Sequence, residues 1–318
     1  MSESNQINKH QESSPPANVK EDADTLLFKV NQYGEDKVSK SPRQSFILSI
    51  FAGAFISIAF VFYISVTTGN TQGWGTLRFV GGLAFSLGLG LVMVAGGELF
   101  TSAVLTVVAH ANKRISFAQQ LQCWGRIYTG NMIGALLLVM LIMFARLFEL
   151  NGGQWGLNVL NIAHHKIHHL WSQAFMLGML CNILVCLGIW MTFATKDVLT
   201  KVLLVILPVA MFVASGFEHS IANLFVVPLA ISIQTFAPDS FFIGLNIPAD
   251  KFSDLTFSNF IFDNLIPVTL GNVVGGSIVG LGYWLVENGG SERSVSDSQR
   301  KTCSSSNSIT SKPNSKPN

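Results

Sequence analysis

Two long apolar stretches of this chain each tolerate a single acidic residue, and each places it just behind a glycine break. Between Gln44 and Arg146 the one Asp or Glu is Glu98, in Gly96-Gly97-Glu98; between Val198 and Pro238 it is Glu218, in Gly216-Phe217-Glu218. From Ile167 to Thr195 there is no Lys, Arg, Asp or Glu. Such runs exceed the roughly 20 residues that cross a bilayer as a helix. Charged residues make up 12% of the 318, and mean hydropathy is +0.44, against about 25% charged in a soluble domain. The chain therefore reads as an all-α, multi-pass membrane protein. A carboxylate and an interrupted helix are both costly in lipid and are kept mainly where something polar crosses. The pattern points to a transport pathway.

The apolar segments fall near 45–68, 78–109 (interrupted at Gly96-Gly97), 125–148, 170–194, 202–232 (interrupted at Gly216) and 260–286. They define a channel domain over 44–287, between a polar N-terminal tail (1–43) and a Ser/Lys/Asn-rich C-terminal tail (288–318) expected to be disordered. Residues 1–27, with Pro15-Pro16, also read as disordered, and 28–43 as an amphipathic surface helix. The first 43 residues hold no apolar signal-peptide core, so the first span is expected to direct insertion. Lys29, Lys37, Lys40, Arg43, Lys113, Arg114, Arg126, Lys196 and Lys201 lie on one side. Arg78, Arg146, Lys166 and Lys251 lie on the other, over longer loops. The bias predicts cytoplasmic termini in a bacterial inner membrane. Cys123, Cys181, Cys186 and Cys303 show no metal-site spacing and read as reduced.

The halves are similar. Gly130-Asn131-Met132-Ile133-Gly134-Ala135 matches Gly271-Asn272-Val273-Val274-Gly275-Gly276, the glycine–glutamate breaks recur, and a weaker match sets Gly53 against Gly178. A repeat of three spans must re-enter the membrane in the opposite sense. This predicts a 3+3 inverted repeat with the pathway between halves. Residues 150–166 are too short and broken to span and read as an ordered loop over the outer mouth.

Breaking a helix at membrane depth frees backbone groups that protein or a water-lined cavity must satisfy, and a half-helix starting there aims its positive end at the cavity. Glu98 and Glu218 read either as caps of the following half-helices or as part of the pathway. His219, opposite Thr101 of the other half, can donate to an anion or exchange a proton. His164, His165, His168 and His169 have i, i+4 spacing but no evident acidic or Cys ligand beside them, so no metal is expected. Lys166 is either a solvated lysine or a charge that concentrates anions at the mouth. Asn131, Asn182 and Asn272 are polar groups inside spans, for which interhelical hydrogen bonding is the plain reading. Spacing alone does not separate Phe85, Phe212, Leu89, Leu99 and Val185 from packing residues.

Leu99-Phe100-Thr101-Ser102, the 151–160 stretch beginning Asn151-Gly152-Gly153-Gln154-Trp155, the run from Leu207 to Asn223, and Asp263-Asn264-Leu265-Ile266-Pro267-Val268-Thr269 with Gly271-Asn272 together resemble the formate–nitrite transporter family over about residues 40–286. The resemblance implies an aquaporin-like fold and a homopentamer in lipid, with a formate pore in each subunit. His219 would then be the central pore histidine and Thr101 the hydroxyl on a mobile loop. Phe85 and Phe212 would form the outer constriction, and Leu89, Leu99 and Val185 the inner one. Lys166 would be the vestibule lysine, with Asn182 and Asn272 near the histidine. Glu98 and Glu218 would anchor the loops. It further implies a contact with pyruvate formate-lyase through the N-terminal segment.

The nearest alternative is a nitrite or hydrosulfide channel of the same family. A neutral-solute pore gives no reason for the midplane histidine, and its paired Asn-Pro-Ala motifs are absent. An intramembrane enzyme lacks a nucleophile, metal set or cofactor motif beside the two glutamates. No cofactor and no nucleic-acid partner are expected.

Overall fold

The computed structural model describes residues 19–306, with side chains from 26 to 286. The helices are α1 (Val19–Ser39), α2 (Pro42–Thr67), α3 (Trp74–Val94), α4 (Phe100–Ala103), α5 (Thr106–Ala111), α6 (Phe117–Phe144), α7 (Gln154–Ile167), α8 (Trp171–Thr192), α9 (Val198–Ala214), α10 (Ser220–Phe236), α11 (Asp239–Gly244), α12 (Phe257–Asn259) and α13 (Ile266–Ser306). A 3-10 turn covers Leu147–Glu149, and a π segment over Phe260–Leu265 joins α12 to α13. No strand occurs among the described residues. α2, α3, α6, α8 and the stretch Phe257–Val286 are each long and apolar enough to cross a membrane. The remaining expected segment is split into α9 and α10, and the second one into α3, α4 and α5.

Local chemistry sets the boundaries. α2 begins at Pro42 because proline suits a first helical position, and the Ser41 hydroxyl caps it by accepting from the Gln44 N–H. α6 opens with a reciprocal capping box between Ser116 and Gln119. Three segments differ from the sequence reading. Residues 19–27 are helical rather than disordered, while 1–18 lie outside the described residues. The 150–166 stretch is mostly helix, because Asn151, Gly152 and Gly153 take positive φ to turn the chain and α7 then buries Trp155, Val159, Leu160 and Ala163. The tail read as disordered continues α13 to Ser306, since no proline or cap stops the helix before then; residues 307–318 lie outside the described set.

The two halves are built alike. α2 packs on α6, α8 on α13, and α3 on α9 across the halves. A Cβ on Gly134 would lie 2.0 Å from the Ile50 carbonyl oxygen, and one on Gly275 2.1 Å from that of Met179. These are backbone-to-backbone crossings that only glycine permits. The repeat extends beyond three spans, because each half is preceded by a short helix, α1 or α7. At one constant spacing Lys37 corresponds to Lys166, Lys40 to His169, Pro42 to Trp171, Leu48 to Leu177 and Ser49 to Gly178. The equivalent of Gly53 is therefore Asn182. The sequence pairing of Gly53 with Gly178 is out of register, because two glycines were matched where hydrogen bonding matches Ser49 with Gly178.

Candidate functional site

Both breaks are made the same way. Gly96 (φ 71°) and Gly216 (φ 75°) adopt the left-handed conformation that ends a helix. The next N–H then bonds five residues back, Gly97 to the Val92 carbonyl at 2.8 Å and Phe217 to the Phe212 carbonyl at 2.9 Å. The chain runs extended for a step, and the Glu98 N–H donates to the Leu48 carbonyl while the Glu218 N–H donates to that of Leu177, each at 3.2 Å.

One asparagine fastens each break. Asn131 Oδ1 accepts from the Phe100 N–H at 2.9 Å, and its amide donates to the Ser49 and Glu98 carbonyls. Asn272 Oδ1 accepts from the Ser220 N–H at 2.9 Å, and its amide donates to the Gly178 and Glu218 carbonyls. The polar atoms of Asn272 hold the second break as those of its repeat mate Asn131 hold the first.

The breaks meet at the buried centre. Thr101 Oγ1 lies 3.0 Å from His219 Nε2, with the two residues 0% and 3% exposed. His219 caps α10, its Nδ1 accepting from the Ala222 N–H at 3.2 Å. A backbone N–H can only donate, so Nδ1 bears the lone pair and Nε2 the proton. The neutral ring therefore donates toward Thr101. Asn182 lies beside them, donating to the Thr101 and Asn272 carbonyls at 3.2 and 2.6 Å. Its Oδ1 is buried without a hydrogen-bond partner. In the repeat, His219 corresponds to Leu99, Asn182 to Gly53 and Thr101 to Ile221, so polar exceptions from both halves gather at one place.

Above this point a cavity of about 110 Å³ is lined by Phe60, Phe85, Phe212, His219, Lys166, His165, Arg78 and Glu218, among others. The Phe85 and Phe212 rings meet edge-on at 5.9 Å, and Phe212 stacks on the His219 ring at 5.9 Å. Leu89, Leu99 and Val185 do not line the cavity; they are buried in the apolar core.

Each glutamate is neutralised by the helix that precedes its half. Glu98 pairs with Lys37 and Lys40 at one end of the bundle. At the other end Glu218 pairs with Lys166 at 2.7 Å, with His169 at 3.8 Å, and accepts from the Asn223 and Asn264 amides. The cap reading of the glutamates does not hold, since the cap positions belong to Leu99 and His219. Nor is Lys166 a free surface charge, for its side chain is 13% exposed and paired. Burial works against the Lys37 charge, but the Tyr33 and Glu98 oxygens beside it outweigh burial and raise its pKa above the ordinary value. Burial lowers that of His169, against the pull of Glu218.

Several site residues escaped the sequence reading. Arg78 lines the cavity and ties α3 to α9, its Nε donating to the Ala214 carbonyl at 3.0 Å. Asn223 and Asn264 bond each other at 2.7 Å around Glu218. The available signals were an arginine inside an apolar run, and a lysine at the same distance before Pro42 as Lys166 before Trp171. Asp254 lies within 3.0–3.3 Å of His168 and His164, so the histidine cluster does have an acidic neighbour. The sequence reading missed it because the two segments lie far apart along the chain. Cys123, Cys181 and Cys186 are free thiols; the Cys303 side chain lies outside the described ones.

The profile of the family described as formate/nitrite transporter matches residues 24–285. The formate channel FocA of Escherichia coli (strain K12) is 51% identical over 255 residues, spanning 80% of this chain and 90% of that protein. FocA of Haemophilus influenzae is 46% identical over 243 residues, 76% of this chain and 86% of that one. Among solved structures, a pentameric formate channel with formate bound superposes with a TM-score of 0.74 at 53% identity, covering 77% of this chain and 97% of that chain.

Proposed function

This chain belongs to the formate/nitrite transporter family, and from that premise we propose that it is a homopentameric formate channel in which each subunit conducts past His219. It is a membrane channel and not an enzyme. The observation that carries the reading is the 3.0 Å contact between Thr101 and His219. Among the described residues it is the one point where the two repeat-related breaks touch through polar side chains.

An anion leaving water loses its hydration, so entry is favourable only where donors replace it. Lys166, His165 and Arg78 surround the cavity that receives it. The Phe85–Phe212 pair strips water and excludes hydrated cations. Beyond it the Nε2–H of His219 and the Thr101 hydroxyl turn toward the carboxylate, aided by the N-terminal end of α10. α10 has 17 residues, whereas the first break is followed only by four- and six-residue pieces, so the helix dipole acts mainly from the second half. Leu89, Leu99 and Val185 form the inner constriction. Acceptance of a proton by His219 would cost its cap on Ala222, which favours hydrogen-bond donation over proton exchange at that ring.

The membrane is the bacterial inner membrane with both termini in the cytoplasm, so α1 and Glu98 face the cytoplasm and α7 and Glu218 the outside. The lysine- and arginine-rich flanks support this orientation. Pyruvate formate-lyase is the proposed cytoplasmic partner of the N-terminal segment, where Phe28 is exposed on α1. Nitrite or hydrosulfide is the less favoured cargo. The test is flux into proteoliposomes at acid and neutral pH with nitrite as competitor. Fast formate flux that nitrite barely blocks is expected; brisk nitrite flux with no formate flux would keep the fold and overturn the cargo.

A further inference from the structure

The geometry points to a divalent transition-metal site on the face of α7 turned away from the pathway, formed by His164, His168 and Asp254. His164 and His168 are one helical turn apart, so their rings share a face, with centroids 4.2 Å apart. Both Nε2 atoms converge on one carboxylate oxygen, Asp254 Oδ2, at 3.3 and 3.0 Å. The donor atoms of the three residues all lie within 4.8 Å of one another. Ligand atoms held at about 2.0–2.2 Å around a tetrahedral Zn²⁺ stand roughly 3.3–3.6 Å apart, so the three need little movement to close on an ion.

The tautomer supports the assignment. His168 Nδ1 sits 2.6 Å from the His164 carbonyl oxygen, and a carbonyl only accepts, so Nδ1 carries the hydrogen. In the neutral ring the lone pair is then on Nε2, facing a carboxylate. That arrangement is repulsive unless a positive charge lies between them. A histidine whose other nitrogen donates to a backbone carbonyl is the arrangement that orients metal ligands. Phe252 packs edge-on against His164 at 5.5 Å and is itself buried, which fixes that ring from the other side. His168 is exposed and the other two are half-buried, leaving a coordination position for water. Two imidazoles and one carboxylate suit Zn²⁺, Ni²⁺ or Cu²⁺ better than Mg²⁺ or Ca²⁺. The bound ion would tie the end of α7, which carries Lys166, to the loop that carries Asp254. The site stands independently of the transported anion.

The experiment is calorimetric titration of the purified, tag-free full chain in detergent with Zn²⁺ at neutral pH, beside His168→Gln, Asp254→Asn and the control His165→Gln. Saturable binding of one Zn²⁺ per subunit is expected, weakened at least about tenfold by loss of either ligand and unchanged in the control. Absence of saturable binding to the unmodified chain would overturn the proposal and leave a proton as the bridging charge. Equal binding by all four proteins would overturn it too. Since the three side chains lie at the surface, elution of each variant as the same oligomer separates loss of ligand from loss of fold.

Discussion

Glu218 shows how this protein keeps a charge in a place that lipid would reject. Lys166, His169, Asn223 and Asn264 all direct polar atoms at its carboxylate, and it is 2% exposed. Removing one partner of such a pair strands the other charge, which costs about 3–5 kcal/mol. Lys166→Met is therefore expected to lower the thermal unfolding midpoint in detergent markedly, and Lys166→Met combined with Glu218→Gln to recover part of the loss. Equal midpoints for single and double variants would show that the pair is not coupled. Glu98, Glu218, Thr101 and His219 were legible in the sequence because polar residues stand out in an apolar run. Lys37 and Lys40 were not, since lysines in a polar flank look alike until the fold brings one beside a buried carboxylate. Asn272 was legible as a polar group inside a span, but spacing does not reveal which backbone groups its amide satisfies.

At the scale of elements, glycine crossings set how closely the helices approach. Gly275→Ala would place a methyl group 2.1 Å from the Met179 carbonyl oxygen, where neither backbone can yield without separating α8 from α13. Overpacking of this kind costs about 1–3 kcal/mol or more, so the variant is expected to yield less assembled oligomer on size-exclusion chromatography than Gly282→Ala, whose added Cβ meets open space. Lys37 helps to hold α1, beside Lys29 on the Phe193 carbonyl, Asn31 on Asn112 and the buried Val30. The raised pKa of Lys37 means that its contribution is complete below the ordinary lysine value of 10.5 and is lost only as pH climbs past it. Once exchange is corrected for its base-catalysed intrinsic rate, amide protection over residues 26–39 is thus expected to hold from neutral pH up to about 10, and to fall at neutral pH in Lys37→Met. The six apolar segments were legible from hydropathy alone, though the division of one of them into α9 and α10 was legible only from its glycine break. α7 was not, because a 14-residue helix opened by three positive-φ residues presents a loop-like start, and its helical face shows only once α10 covers it.

On the scale of the whole molecule, an inverted repeat supplies the frame, and departures from symmetry supply the function. The halves share their breaks, their asparagine fasteners, their glycine crossings and their glutamate–lysine pairs. They part where His219 stands for Leu99, Thr101 for Ile221 and Asn182 for Gly53. Exposed apolar side chains such as Leu141, Phe144, Leu203 and Leu207 face outward, to be covered by lipid or neighbouring subunits. The architecture was legible in the sequence through its repeats and its resemblance to a family. The extension of the repeat to α1 and α7 was not, since those helices share few residue types and only their spacing from the spans agrees. The most direct test is formate flux through proteoliposomes holding His219→Leu, which gives the second break the side chain of the first. Losing this donor from a water-poor constriction is expected to slow flux by about 30-fold or more, the equivalent of roughly 2 kcal/mol, with the pentamer still assembled. Flux within about twofold of the unmodified channel, a difference of only some 0.4 kcal/mol, would contradict the claim that the anion crosses at the point where the two halves meet.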